Sequence, residues 1–192
     1  MKIFKFGGAS VKDAASVKNV TQILQSEGTE KTVVVISAMG KITNACEEVI
    51  DAYYNKTDRL SEKLGIVEDF HKNLMNGLFE KEDTIYKEID ILLGELSWFL
   101  ARNTSQRYNY VYDQIICFGE LLSTKIVSAY LTKIGLENNW FDVRNYIKTD
   151  SNYRDAKVDW DLTQDIISKK LDASKLNITQ GFIAANDTEN TT

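Results

Sequence analysis

The first eleven residues, Met1 to Val11, constrain this chain more than any other stretch. Ile3, Phe4 and Phe6 form a short apolar run that predicts a buried strand, and Gly7-Gly8 stop it. Ser10 stands where a helix N-cap would, with Asp13 three residues on to complete a capping-box-like pair. Val11, Ala14, Ala15, Val17, Val20, Ile23 and Leu24 then supply the apolar face of a helix. Strand, two glycines and helix start follow in that order. Glycines leave backbone N–H groups open to an anion, and a helix N-terminus adds a favourable dipole. Lys5 can bring an ammonium to the same spot. A plain strand-to-helix turn with a solvated lysine would use the same residues, because the spacing is neither G-x-G-x-x-G nor a Walker loop. On spacing alone both readings stay open.

The next strand signal, Thr32 to Ser37, is a continuous β-branched run of the kind found in strands covered on both faces. With the helix before it, it makes a βαβ unit, hence an α/β fold with a mainly parallel sheet. Such sheets carry their ligand site at the carboxyl ends of the strands. Gly7-Gly8 and Ser37 both sit at such ends. Further strands are expected in Asn139–Val143 and Asn177–Ile183, about four in all, which fits part of a larger sheet. An unpaired edge and exposed apolar surface should result. Helices are expected through Glu47–Tyr54, between Ser61 and Leu78, between Glu82 and Leu100, from Asp113 to Lys133 and from Leu162 to Leu171.

The 192 residues suffice for one domain with a sizeable core. A net charge of −5 and no basic stripe argue against nucleic acid as a partner. No apolar run is expected to reach membrane-spanning length and no signal peptide is evident, so no membrane partner is expected. Cys46 and Cys117 suit a reducing cytoplasm and lack metal-ligand spacing.

Three stretches carry candidate chemistry. The loop Ser37-Ala-Met-Gly-Lys-Ile-Thr-Asn44 suits a small polar ligand, though a simple loop with a helix cap at Thr43 would read the same. Glu120 lies among apolar neighbours, and a buried carboxylate needs a partner; a partly exposed helix glutamate is the alternative. Phe182 follows Gly181 at the end of the last strand and reads equally as strand core. Cys117 is expected to be a small buried apolar residue, and Arg144 a structural ion-pair former. Trp98 and Phe99 are expected in the core or a helix contact. His71, beside Glu68, Asp69 and Lys72, is expected at the surface with no role.

Five segments, in order, carry a family resemblance. Lys5-Phe-Gly-Gly-Ala-Ser-Val11 resembles the K-F-G-G-T-S-V opening of aspartokinases, in the amino acid kinase superfamily, with Ala9 in place of threonine. Val35, Ser37, Ala38, Gly40, Thr43 and Asn44 carry a resemblance to their V-S-A-x-x-G-x-T-N loop. Gly119, Glu120 and Ser123 match the H-G-E-x-x-S pattern, with Phe118 replacing histidine. Phe141 to Arg144 and Ile178 to Ile183 resemble F-D-V-R and I-T-Q-G-F-I.

The resemblance implies a three-layer α/β/α fold of the amino acid kinase (carbamate kinase-like) type, incomplete in this chain. Residues 1–192 would form the N-terminal, substrate-binding portion, ending before the family's T-T-L-G-R-G-G-S-D segment, with the nucleotide-binding half and ACT domains absent. It implies ATP-dependent phosphorylation of the L-aspartate β-carboxylate to 4-phospho-L-aspartate, the entry to lysine, threonine and methionine biosynthesis. Lys5 would be catalytic, and Lys5, Gly7, Gly8 and Ser10 would bind the ATP phosphates. Ser37, Thr43, Glu120 and Phe182 would bind substrate, Glu120 through its α-ammonium. ATP with Mg²⁺ and L-aspartate are the implied ligands, and a cytoplasmic homo-oligomer the implied full-length state. The fragment alone would be inactive. Kinases of glutamate, acetylglutamate or carbamate, or a non-catalytic effector-binding or dimerisation module, are the alternatives.

Overall fold

A computed structural model describes all 192 residues. Strand β1 (Lys2–Phe6) leads through a 3₁₀ turn (Gly8–Val11) into α1 (Ala14–Glu27), and β2 (Thr32–Ile36) follows. Four helices come next: α2 (Ile42–Tyr54), α3 (Leu60–Met75), α4 (Ile85–Arg102) and α5 (Tyr108–Lys133). The chain closes with β3 (Asn139–Trp140), α6 (Trp160–Lys170) and β4 (Leu176–Thr179). All pairings are parallel, in the order β1-β2-β4-β3. This is the α/β architecture expected from the β-branched run and the βαβ opening.

One face of the sheet carries the core. Val34, Ile36, Leu176 and Ile178 join residues of α1 to α5 in a single cluster of 34 buried apolar side chains. The other face is covered unevenly. All four β4 residues are buried, whereas Val33 and Val35 are half-buried and Ile3 is 66% exposed. The first strand is therefore an edge strand with one open face, not the buried strand its composition suggested. Phe4 and Phe6, stacked with centroids 6.2 Å apart, pack on the cluster, while Ile3 and Lys5 point the other way.

Several boundaries differ from the sequence reading for local reasons. Ser10 is not the cap of α1; its N–H closes the 3₁₀ turn on the Gly7 carbonyl, and Asp13 caps the helix by accepting the Ser16 N–H at 2.7 Å. Thr43 lies inside the first turn of α2, with Lys41 in the cap position. Strand β3 stops at Trp140 because Asp142 accepts the Arg144 N–H and turns the chain. Trp98 is 65% exposed, on the same outer face of α4 as Ile91, and Phe99 packs against the core.

His71 contradicts its expected surface position. It is fully buried, its Nδ1 lies 2.7 Å from the Val67 carbonyl, and its Nε2 has no partner. Burial depresses its pKa to about 4. Helix α5 is long and apolar enough, by length and composition alone, to cross a membrane, which the sequence reading did not anticipate. Here it is the central core helix, touching α2, α4 and three strands.

Candidate active site

The strand ends meet the start of α2 and the middle of α5 around a cavity of about 820 Å³. Close packing builds its rear wall. A Cβ on Gly8 would lie 2.6 Å from the Ala38 carbonyl oxygen, so only glycine fits against this loop. A Cβ on Gly119 would lie 3.0 Å from that of Ala38, which lets α5 approach equally closely. One helical turn on, Ser123 Oγ donates to the Ser37 carbonyl at 2.8 Å and ties the loop to α5. The spacing Gly119-Glu120-x-x-Ser123 thus has a mechanical reading: close approach, functional group, anchor.

Glu120 points from this turn into the cavity. Its residue is 7% exposed, and Oε2 accepts the Gly181 N–H at 2.8 Å and the Phe182 N–H at 3.0 Å. Burial raises its pKa; the Phe182 and Gly181 amides and the Lys5 charge oppose the rise. The partner a buried carboxylate needs is therefore a pair of backbone amides from a strand end some 60 residues away. Phe182 is not strand core. It is 79% exposed at the cavity rim, and Lys5 Nζ stands 5.3 Å from its ring centroid.

Of the residues singled out in the sequence, Gly8, Ser37, Thr43, Glu120 and Phe182 line the cavity. Lys5 sits beside it, in reach of Glu120 electrostatically and without an ion pair of its own. Gly7 adjoins it through the backbone. Ser10 does not join this group; it lines a separate depression of about 530 Å³ with Phe6, Lys12, Asp13 and Asn19. Arg144 forms a bidentate pair with Asp142, at 2.6 Å for Nη2 to Oδ2, and Cys117 is buried with its thiol pushed up to about 11. Both behave as structural groups.

The sequence reading missed a second group of lining residues. Tyr112 and Asp113, two turns before Glu120 on α5, line the cavity with Thr149, Arg154 and Asp155. Arg154 occupies the left-handed region at φ +67°, its N–H donates to Asp113 Oδ2 at 2.8 Å, and its guanidinium lies 4.2 Å from the Tyr112 ring centroid. Asp113 is buried, which raises its pKa to about 6 against the opposing Arg154 N–H and charge. Its position between Val111 and Ile115, like that of Glu120 one step further, was the available signal.

The chain that builds this cavity matches known proteins along nearly its whole length. The description of the amino acid kinase family matches residues 1–191. The chain belongs to the amino acid kinase family. Among curated relatives, Aspartokinase 2, chloroplastic, of Arabidopsis thaliana is 31% identical over 186 residues, covering 91% of this chain and 33% of the relative. Two solved structures of Escherichia coli aspartokinase III superpose on all of it at 26% identity, covering 43% of their own chain. One, in complex with lysine and aspartate, has a TM-score of 0.88. The other, in complex with aspartate and ADP, has a TM-score of 0.87. The chain thus spans about a third of that curated relative and less than half of those structures.

Proposed function

We propose that this chain is the substrate-binding portion of an aspartate kinase, which phosphorylates the β-carboxylate of L-aspartate from MgATP. The observation that carries the reading is Glu120: a buried carboxylate, fixed by two amides, at the strand ends of an amino acid kinase fold. Such a group binds an α-ammonium, which acetylglutamate and carbamate lack. Ser37 and Thr43 line the same cavity and supply hydroxyls for the substrate carboxylates.

Both reactants are anionic, so the work is positioning and charge neutralisation. Lys5, beside the cavity and unpaired, stabilises the transferring phosphoryl group, with the Gly7 and Gly8 backbone close to its oxygens. Ser10 lines the separate depression, and a phosphate contact for it rests on the family resemblance alone. Mg²⁺ accompanies ATP in this reading, held largely by its phosphates and by residues outside these 192. On this reading the nucleotide-binding half and the ACT domains would fall in the part of the aspartokinases' length that these residues do not match, and the 192 residues by themselves carry no appreciable turnover. Two free buried cysteines are compatible with a reducing, cytoplasmic setting, and homo-oligomerisation and a place in lysine, threonine and methionine biosynthesis follow the same reading.

The test is hydroxylamine trapping of the acyl phosphate by the complete kinase domain, with L-aspartate, L-glutamate, acetylglutamate and carbamate as acceptors. The reading expects the hydroxamate from L-aspartate. Preferential turnover of another acceptor would replace it, and turnover by the 192-residue chain alone would refute the half-site assignment.

A further inference from the structure

The hydrogen bonds behind Glu120 single out a residue that does not line the cavity. Gln180 is 1% exposed, immediately after β4 and immediately before the two residues whose amides hold the Glu120 carboxylate. Its Oε1 accepts the Val143 N–H at 2.8 Å, and its Nε2 donates to Thr124 Oγ1 at 2.7 Å. Thr124 lies one turn beyond Glu120 on α5. Its hydroxyl donates back to the Glu120 carbonyl at 2.9 Å and accepts the Trp140 indole N–H at 2.9 Å. A hydroxyl has one proton and two lone pairs, so these three bonds saturate it. The network ties α5, the end of β4 and the turn after β3 together at the level of Glu120.

The two amides share one carboxylate oxygen, Oε2. Oε1 makes no hydrogen bond within the chain, yet the single buried side-chain polar atom without a partner is His71 Nε2. Oε1 therefore opens on the cavity that Glu120 lines. One oxygen is the anchor and the other is the working atom.

We infer that Gln180 is a positioning residue, holding the Gly181–Phe182 amides in register with α5 so that Glu120 presents Oε1 to an ammonium group. The identity of the ammonium-bearing ligand rests on the proposed function; the placement of Glu120 does not. A side chain that only filled space could be exchanged for leucine without changing how Glu120 ionises. Gln180 acts through the amides, which favour the charged carboxylate.

The experiment follows the Glu120 carboxylate by carbon-13 NMR titration in the parent chain, Gln180→Leu and Thr124→Val, with thermal unfolding and L-aspartate calorimetry alongside. Thr124→Val cuts the same bond from the other side at nearly constant volume, and it decides by the same readout if Gln180→Leu does not fold. Glu120 is expected to titrate at higher pH in both variants, with aspartate binding weakened about tenfold, the worth of one ordinary hydrogen bond. Folded variants in which Glu120 titrates as in the parent overturn the inference. A shifted Glu120 in a chain whose parent binds no aspartate supports the positioning role and removes the substrate assignment instead.

Discussion

Two buried titratable groups, His71 in the helical layer and Glu120 at the strand ends, show how differently the two regions treat polarity. Each lies on a helix in an apolar setting. His71 has one backbone contact and an orphaned Nε2, and burial drives it neutral. Glu120 has two amides on one oxygen, a nearby lysine, and its other oxygen facing a cavity. The helical layer tolerates a polar group by removing its charge. The strand-end region opposes the cost of burial with two amides and a lysine, and leaves one carboxylate oxygen unpartnered. Burial alone therefore does not mark a site; burial with an aimed, incomplete set of partners does.

The sharpest way to break this comparison is Glu120→Ala. It strands two amide donors and removes the counter-charge for an ammonium, so L-aspartate binding should weaken at least ~30-fold, read by calorimetry. Unchanged affinity would put Glu120 in the same structural class as His71.

The next effect belongs to His71. Its folded pKa of about 4 lies below the unfolded value of 6.5, so the unfolded state takes up the proton first. Stability is complete above pH 6.5 and falls by about 3 kcal/mol as the pH drops to 4. Denaturant unfolding across that window should show the loss in the parent, and the difference from His71→Leu should isolate it.

Asp113 should behave with the opposite sign. Its folded pKa of about 6 lies above the unfolded 3.8, so stability declines as the pH rises between those values. Asp113 borders an open cavity, so solvent screening reduces the effect to about 1 kcal/mol, and Asp113→Asn should gain that much at pH 7. Smallest is Arg154→Gly, which relieves a left-handed φ of +67° and should raise stability by about 0.5–1 kcal/mol. A loss instead would mean that the guanidinium–Tyr112 stacking outweighs the backbone strain.

The sequence made the fold legible where periodicity and glycine placement agreed. The β-branched run at β2 and the Gly7-Gly8 stop after β1 define a βαβ unit before any contact is known. Glu120 stood out for the same local reason, a carboxylate within Ile115–Leu122. Its partners did not, because the Gly181 and Phe182 amides come from a strand end brought near only by the parallel β2–β4 pairing. His71 was misread because Glu68, Asp69 and Lys72 are its neighbours in sequence rather than on its helix face. Val67, Leu74 and Met75, at i−4, i+3 and i+4, share that face and are all buried. Ser10 and Asp13 are both capping residues three apart, and the tight 3₁₀ turn after Gly7 decided between them. The exposure of β1 reflects its edge position in the sheet, which composition does not encode.

The most direct test of the account is calorimetric titration of L-aspartate into this chain, with Glu120→Ala as the control. The account predicts saturable binding that the substitution weakens at least ~30-fold, showing that the ammonium site is formed by these residues. Binding of undiminished affinity in Glu120→Ala would contradict it, because the aspartate would then be held somewhere other than the amide-anchored carboxylate.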